Sequence, residues 1–342
     1  MMIRTLLTLG VAAAAAGAEA PRLPSRIAFG SCAKQDKPLP VLRAAIAANP
    51  DFFVFLGDNI YGDTDDMDVL KAKYAVLGAK PEFRALREAM PLHAIWDDHD
   101  YGRNDAGKEY PMKEASKEVF LDFWGEPAGT ARRGRPGIYA SHRWERDGRV
   151  LQLVLLDTRT FRDPLRRNPK KNREAPFKND YRTDPDPAKT FLGAAQWKWL
   201  EGEFRKPADL RVVATSIQFG HEYNGWESWT NLPAEHARMI ELIRGTRANG
   251  VVFISGDVHW GEISVRDVEG GYPLHDVTSS ALNQTWDPIE PNKFRHGKFM
   301  RDPNFGLLVV DWEKGTLAMQ IRGEDGQVAV GKSVRLAELR FP

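Results

Sequence analysis

The segment DFFVFLGDNIYGD, residues 51–63, decides the fold prediction. The apolar run Phe52–Leu56 lacks polar alternation, which is typical of a strand buried on both faces of a sheet. A helical pattern over 39–48 precedes this run, so the local order is helix, strand and loop. Because the run stops abruptly at Gly57 and Asp58, the segment predicts a buried strand whose end presents polar side chains to a ligand.

Four further apolar segments end in the same way. They are predicted strands over 26–29, 92–95, 150–156 and 251–254, followed by GSC at 30–32, WDDHD at 96–100, DTR at 157–159 and GDVH at 256–259. In open α/β sheets, ligands bind outside the carboxyl ends of the strands. We therefore expect five sets of polar side chains to converge on one edge. From about Gly306 onward, short alternating strands dominate the sequence pattern.

The residues at these strand ends include aspartates that would crowd negative charge together. If Asp58, Asp98 and Asp257 meet, repulsion and desolvation both cost free energy, and a bound cation is the usual compensation. Such an oxygen-rich group suits a hard ion such as Ca²⁺, Mn²⁺ or Mg²⁺. A second group suits a transition metal because it adds softer donors, and it comprises Cys32, Tyr61, Asp58 and His259. Asp58 belongs to both groups and is expected to bridge two ions.

Taken singly, each of these residues also has a structural explanation. Asp58 after a glycine fits a turn or helix-cap residue, and Tyr61 fits a packed aromatic. His99 and His259 each fit a hydrogen-bonded polar residue, and Cys32 fits a buried structural thiol. Only the convergence of the whole set distinguishes a metal centre from these alternatives.

Composition and charge limit the classes of function. Of the 342 residues, 42% are hydrophobic and 28% are charged, which is enough for a large packed core. The net charge of +1 excludes a globally basic nucleic-acid binder, so we expect no stable nucleic-acid complex. The single cysteine excludes an intramolecular disulfide. We expect a monomer.

The N-terminal residues differ in composition from the rest of the chain. Arg4 is followed by the apolar stretch 5–17 and then by Ala18-Glu19-Ala20, which is the order of a cleavable secretory signal. An Ala-rich N-terminal helix and a lipid anchor on Cys32 are the alternatives. The sequence predicts a signal peptide at 1–20, and the length of the remaining chain, 21–342, allows one large domain or two ordinary ones. We expect an exported protein, periplasmic or secreted, without a transmembrane segment in the mature chain.

Two further segments resemble binding motifs. GQVAVGKS at 326–333 formally matches a phosphate-binding loop, but that loop needs a long helix after it. The β-prone alternation here predicts a C-terminal hairpin instead. The polar stretch 161–190 holds nine Lys or Arg against five Asp or Glu. It fits either a solvated surface loop or a positive rim that attracts an anionic substrate.

The combination of motifs resembles the alkaline phosphatase D (PhoD-like) family of the binuclear metallophosphoesterase superfamily. The blocks that carry the resemblance are FGSC at 29–32, GDNIYGD at 57–63, WDDHDYG at 96–102, LDTR at 156–159, NGWESW at 224–229 and GDVH at 256–259. The resemblance implies a four-layer α/β/β/α sandwich with the active site at the C-terminal ends of the strands. It also implies a single catalytic domain at 21–342 that hydrolyses phosphomonoesters or phosphodiesters.

The resemblance also implies a metal-ligand set. Cys32 and Tyr61 resemble the thiolate and phenolate ligands of a ferric ion, and Asp58 resembles the bridging carboxylate. The remaining implied ligands are Asp98 with its neighbour Asp97, the Asp-x-His pair Asp257 and His259, and, as a weaker candidate, Gln218. The Asp-x-His pair favours Ca²⁺ beside Fe³⁺, with Mn²⁺, Zn²⁺ and Mg²⁺ as alternatives. No clear histidine stands at the family's mid-chain ligand position.

Two residues match positions that act on the substrate itself. His99 resembles the histidine that contacts phosphate or protonates the leaving group. Arg159 fits a phosphate clamp, since a guanidinium fork matches phosphate oxygens. Hydrolysis would then proceed by attack of a metal-generated hydroxide on phosphorus.

We therefore expect an exported metal-dependent phosphoesterase that acts on a small-molecule or lipid phosphate ester. One alternative is a phospholipase-D-like phosphodiesterase that uses the same metals. Another is an exported protein that binds metal or phosphate without catalysis.

Overall fold

The computed structural model describes residues 22–169, 179–222 and 225–342, so the predicted signal at 1–20 lies outside the described residues. The strands are β1 Arg26–Gly30, β2 Phe52–Leu56, β3 Leu92–Ile95, β4 Ala140–Arg146, β5 Arg149–Leu155, β6 Arg166–Arg167, β7 Tyr181–Arg182, β8 Leu210–Ala214, β9 Val251–Ser255, β10 Gly261–Arg266, β11 Leu274–Ser279, β12 Arg295–Met300, β13 Asn304–Asp311, β14 Thr316–Gly323 and β15 Val328–Arg335. The helices are α1 Val41–Ala47, α2 Met67–Ala79, α3 Pro81–Ala89, α4 Asp98–Tyr101, α5 Lys113–Phe123, α6 Gly193–Phe204 and α7 Pro233–Thr246. Short 3₁₀ turns occur at Trp229–Asn231 and Leu336–Leu339.

Two large mixed sheets organise the described chain. The first has the strand order β15-β14-β13-β1-β2-β3, and its strands β1, β2 and β3 are parallel. The second has the order β12-β10-β11-β9-β8-β5-β4, and its strands β5, β8, β9 and β11 are parallel. All residues of β2, β8 and β9 are buried, as the uninterrupted apolar run Phe52–Leu56 predicts. The carboxyl ends of the parallel strands therefore lie where the sequence places its polar motifs.

The sheets pack against each other and carry helices on their outer faces. Ser279 Oγ of β11 lies 2.9 Å from Asn304 Oδ1 of β13, which joins the second sheet to the first. The rings of Phe55 in β2 and Phe83 in α3 are 5.7 Å apart, so α3 covers the outer face of the first sheet. Gln196 of α6 donates to the Asp157 carbonyl beyond β5 at 2.8 Å. The predicted α/β/β/α sandwich is confirmed.

The C-terminal segment contains the predicted hairpin. Residues 328–333 lie within β15, which pairs antiparallel with β14, and Val330 stands opposite Ile321. The strand β15 is continuous over Val328–Arg335, although the alternating pattern after Gly306 predicts shorter strands. Because a strand replaces the required helix, the match to a phosphate-binding loop has no structural basis.

Several helices were not predicted, and α2 shows the physical reason. Its buried residues Leu70, Tyr74 and Leu77 have helical spacing. Val69 and Val76, however, are 40% and 44% exposed, so apolar residues occur on both faces and obscure the periodicity. The helices α5 and α7 and the strands β4, β10, β11 and β12 were likewise not assigned from sequence. Across 22–169, 179–222 and 225–342, no helix has both the length and the apolar composition needed to cross a bilayer.

Candidate metal centre and substrate cavity

The loops after the parallel strands are fastened to one another by backbone hydrogen bonds. The amide of Cys32, after β1, donates to the Gly57 carbonyl after β2 at 3.3 Å, and the Ala33 amide donates to the Asp58 carbonyl at 2.8 Å. The Leu282 amide donates to the Ser31 carbonyl at 3.0 Å, which ties in the loop after β11. The predicted polar strand ends therefore form one continuous surface at the edge of both sheets.

Four of the predicted ligands have left-handed backbone conformations. The φ angles are 61° for Cys32, 50° for Asp58, 73° for Asp257 and 66° for His259. This region costs free energy for residues with a Cβ, and such residues cluster at functional sites where surrounding contacts hold them. The strain at four residues in three converging loops supports a functional site over ordinary turns.

The softer donors of the predicted set meet. Ligand atoms of Cys32, Asp58 and His259 lie within 4.8 Å of one another. The Tyr61 hydroxyl lies 3.0 Å from His259 Nε2, and Cys32 Sγ lies 3.5 Å from Asp58 Oδ2. Burial raises the pKa of the Cys32 thiol to about 12, and burial lowers the pKa of His259 to about 4. A neutral imidazole can ligate a metal, whereas the thiol needs a nearby cation to become a thiolate.

The carboxylates of the predicted set meet at the same place. Oxygens of Asp58, Asp97, Asp98 and Asp257 lie within 4.8 Å of one another, so Asp58 belongs to both groups. Burial and the neighbouring negative groups raise the pKa of Asp58 and of Asp257 well above the ordinary range. Asp58 Oδ1 and Asp97 Oδ2 are buried without a hydrogen-bond partner among the described residues. Crowded carboxylates with unpartnered oxygens fit a pair of cations.

Asp98 and His99 occupy the short helix α4 beside this group. The Asp98 carboxylate accepts from the His99 amide at 2.9 Å and from the Asp105 amide at 2.6 Å. The His99 ring uses Nδ1 to contact Asp63 Oδ1 at 2.8 Å. Burial alone would lower the pKa of His99, but the Asp98 and Asp63 carboxylates raise it to about 9.

Arg159 lies next to the carboxylate group, on the side away from the cavity. Its side chain is fully buried, and Nε lies 2.5 Å from Asp97 Oδ1 and Nη2 4.0 Å from Asp98 Oδ1. It also forms a close ion pair with Glu227. Arg159 does not line the cavity, so its contacts favour the positioning of carboxylates. Its expected contact with phosphate stays a prediction.

Glu227 is a site residue that the sequence analysis did not single out. Its carboxylate lies 3.1 Å from Arg162 Nη2 and within 4.8 Å of ligand atoms of Asp98 and Asp105. The only sequence signal was its place in the NGWESW block. Gln218, by contrast, donates to Glu262 Oε1 at 3.0 Å and to Thr278 Oγ1 at 3.1 Å, and it is not among the residues that line the cavity described below.

A cavity of about 340 Å³ lies beside the donor groups at this edge of the sheets. Asp58, Asp98, His99, Asp257 and His259 are on its wall. A larger groove of about 1060 Å³ lies at the opposite edge, beside Arg26 and Trp312. Among the described residues, none of the clusters with metal-ligand spacing lies in that groove. Side-chain chemistry therefore locates the site, and cavity size does not.

Part of the polar stretch 161–190 reaches this cavity. Asp180 and Tyr181 line it, and the pair β6 and β7 holds them in place. The described part thus contributes an acidic and an aromatic side chain to the wall. Residues 170–178, which carry several of the lysines and arginines of the expected positive rim, lie outside the described residues.

Gly57 is required where the loops after β2 and β3 meet. Its φ is 99°, and an added Cβ would lie 2.5 Å from Asp97 Cβ and 2.6 Å from the Asp97 nitrogen. We expect Gly57→Ala to lower the free energy of unfolding by about 1–3 kcal/mol more than Gly315→Ala does. Gly315 is the matched control, because its φ is 64° and its added Cβ would contact nothing within 4 Å. If urea unfolding shows that both variants lose the same free energy of unfolding, this close approach is contradicted.

Comparisons with known proteins agree with this geometry. The sequence model of the family described as PhoD-like phosphatase matches residues 27–286. The chain is similar to alkaline phosphatase D of Bacillus subtilis (strain 168), with 27% identity over 205 residues. That match covers 55% of this chain and 34% of the relative, so the chain spans about a third of the relative's length.

Solved structures share the fold. The structure of PhoD superposes with a TM-score of 0.69 at 18% identity, covering 94% of this chain and 70% of that one. A dimetal phosphatase from Danio rerio gives a TM-score of 0.53 at 13% identity, covering 93% of this chain and 99% of that one. These similarities support the sandwich architecture seen here.

Proposed function

We propose that this chain, which belongs to the PhoD-like phosphatase family, is an exported metal-dependent phosphoesterase. It would hydrolyse phosphomonoesters. One observation carries the proposal: two groups of metal-ligand atoms share Asp58 on the wall of one cavity. Two cations held by groups that share one carboxylate would suit hydrolysis at phosphorus. The substrate is a small-molecule or lipid phosphate ester.

The donor chemistry supports one transition metal and one hard cation. Cys32, Tyr61, Asp58 and His259 would hold Fe³⁺, because thiolate, phenolate and imidazole ligands favour a transition metal. Asp58, Asp97, Asp98 and Asp257 would hold Ca²⁺, which prefers oxygen ligands. Mn²⁺, Zn²⁺ and Mg²⁺ are the alternatives. When bound, the cations lower the pKa of water toward neutrality and balance the charge on the phosphate.

The protein side chains contribute positioning and a proton. Arg159 balances the charges of Asp97 and Glu227 and so holds the Asp97 carboxylate in the donor group. His99 lines the cavity, and because Nδ1 contacts Asp63, Nε2 is the nitrogen left to donate to the leaving-group oxygen. Protonation of that oxygen matters most when the leaving alkoxide is strongly basic.

His99→Asn is expected to lower kcat/KM for ethyl phosphate about a hundred-fold, since general acid catalysis contributes on that order. The loss for 4-nitrophenyl phosphate is expected to be smaller, because its leaving group needs no proton. The control is His296→Asn, which replaces an exposed histidine on β12. Equal losses on the two substrates would remove the proton-donor role.

Export is the second part of the proposal. The charged residue, apolar stretch and Ala18-Glu19-Ala20 site in the sequence support cleavage after residue 20. N-terminal sequencing of protein from the periplasm or medium tests it. A chain that keeps residues 1–20 and stays with the cytoplasmic fraction would contradict export.

Elemental analysis combined with a substrate panel tests the activity. Purified protein is assayed on ethyl phosphate and on diethyl phosphate before and after chelation. Metal-dependent turnover of the monoester supports the proposal. Turnover of the diester alone would point to the phospholipase-D-like alternative. Bound metal without turnover of either ester would point to a non-catalytic metal or phosphate binder.

A further inference from the structure

The cavity has an aromatic wall beyond its metal-ligand donors. Trp226, Trp260, Trp286 and Tyr181 all line it, and each comes from a different segment. The rings of Trp226 and Trp286 meet edge to face, with centroids 6.1 Å apart and planes at 84°. Trp286 is 44% exposed, so one ring lies at the open side of the cavity. Trp226 is half-buried, whereas Trp260 and Tyr181 are buried and lie behind the two outer rings. Exposed aromatic surface beside a polar site, here that of Trp226 and Trp286, is typical of ligand contact.

These rings are fixed next to the donors. The Trp286 amide donates to the His259 carbonyl at 3.2 Å, so the position of this indole is tied to a predicted metal ligand. Trp226 directly precedes Glu227, which pairs with Arg159, and Trp260 directly follows His259. A phosphate ester bound through cations at these donors would therefore place its organic group against the aromatic wall.

The charges around the wall favour an organic group that is itself neutral. Asp105 and Asp180 also line the cavity, and they share one guanidinium, Arg167, at 3.6 and 3.9 Å. The Tyr181 hydroxyl donates to Asp105 at 2.6 Å. Within the described part of the chain, no lysine or arginine lines the cavity. Among the residues that the structure describes, a second anionic group on the substrate would thus meet the carboxylates of Asp105 and Asp180 and no lining lysine or arginine.

We propose that Trp226 and Trp286, with Trp260 and Tyr181, form the subsite for the leaving group, and that its ligand is the neutral planar ring of an aromatic or arylmethyl phosphate ester. The inference rests on the proposed phosphoesterase function and names its substrate class. Stacked and edge-to-face ring contacts would supply the affinity for the ring, and the cations held by the donors would bind the phosphate. Small aliphatic esters reach the donors but leave the wall uncovered.

Benzyl phosphate and ethyl phosphate test this subsite, because both release a primary alcohol and differ mainly in the ring. We expect the metal-loaded protein to prefer benzyl phosphate in kcat/KM by about ten-fold or more. Trp226→Ala and Trp286→Ala should each lower kcat/KM for benzyl phosphate about five-fold or more and change that for ethyl phosphate less than about two-fold. Trp312→Ala is the control, since Trp312 lies at the opposite edge, where its Nε1 donates to the Pro24 carbonyl.

Binding provides a readout that does not depend on turnover. Benzylphosphonate is expected to quench tryptophan fluorescence and to bind more tightly than ethylphosphonate. In Trp226→Ala and Trp286→Ala the two phosphonates should bind with equal affinity. The metal content of both variants should equal that of the native protein. If the native protein has the same kcat/KM for benzyl phosphate and ethyl phosphate, and the ratio of these values is unchanged in the two variants, the proposed subsite is wrong. Hydrolysis of neither ester would overturn the phosphoesterase proposal, and the phosphonate comparison would then decide the subsite by itself.

Discussion

Asp58→Asn is expected to lower kcat by at least about a thousand-fold, which corresponds to about 4 kcal/mol of transition-state stabilisation. Asp58 is the one residue common to the thiol–imidazole group and the carboxylate group. Asparagine keeps the shape of the side chain but removes its negative charge and one anionic oxygen. Because both cations would share this carboxylate, we expect the content of both metals to fall. Elemental analysis and steady-state kinetics of the same preparation measure the two effects.

Asp147→Asn is a matched control for this substitution. Asp147 has a φ of 52°, against 50° for Asp58, so both variants place asparagine in the same left-handed backbone region. Asp147, however, is an exposed residue of the turn between β4 and β5. The control variant should keep its metals and its rate. Full metal occupancy with a normal rate in Asp58→Asn would falsify the bridging role.

The convergence of the strand-end residues could be predicted because each motif follows its buried strand without a gap. Asp58 comes two residues after β2, and Asp98 three residues after β3, so the sheet edge alone determines their approximate position. Cys32 follows β1 in the same way. Strand order and the packing of the two sheets then bring these positions together. No motif in the sequence indicates how the two sheets pack.

Glu227 and Trp226 could not be predicted in the same way because no strand of their own places them. Their segment is held by tertiary contacts, including the Trp229 amide that donates to the Gln218 carbonyl at 3.0 Å. Arg159 shows a different limit. A guanidinium fork suits phosphate and carboxylate equally well, and only its burial against Asp97 and Glu227 distinguishes the two.

Cys32→Ser is expected to lower the affinity for the transition metal more than about a hundred-fold, since even indirect contacts to metal ligands contribute 10–100-fold. The serine hydroxyl fits the volume but is a harder and far less acidic donor, so the loss should be specific to the transition metal. The hard cation, held by the carboxylate group, should remain. Turnover should fall with the transition metal, because the remaining ion lacks its partner.

Asp257→Asn gives the matched comparison because Asp257 belongs to the carboxylate group and not to the group that contains Cys32. It should lower the content of the hard cation and spare the transition metal, the reverse of Cys32→Ser. Since Cys32 is the single cysteine of the chain, thiol labelling in denaturant adds an independent measurement: labelling should be slower in the metal-loaded protein than after chelation. Unchanged transition-metal content in Cys32→Ser, together with equal labelling before and after chelation, would remove Cys32 from the centre and leave it as a buried structural thiol.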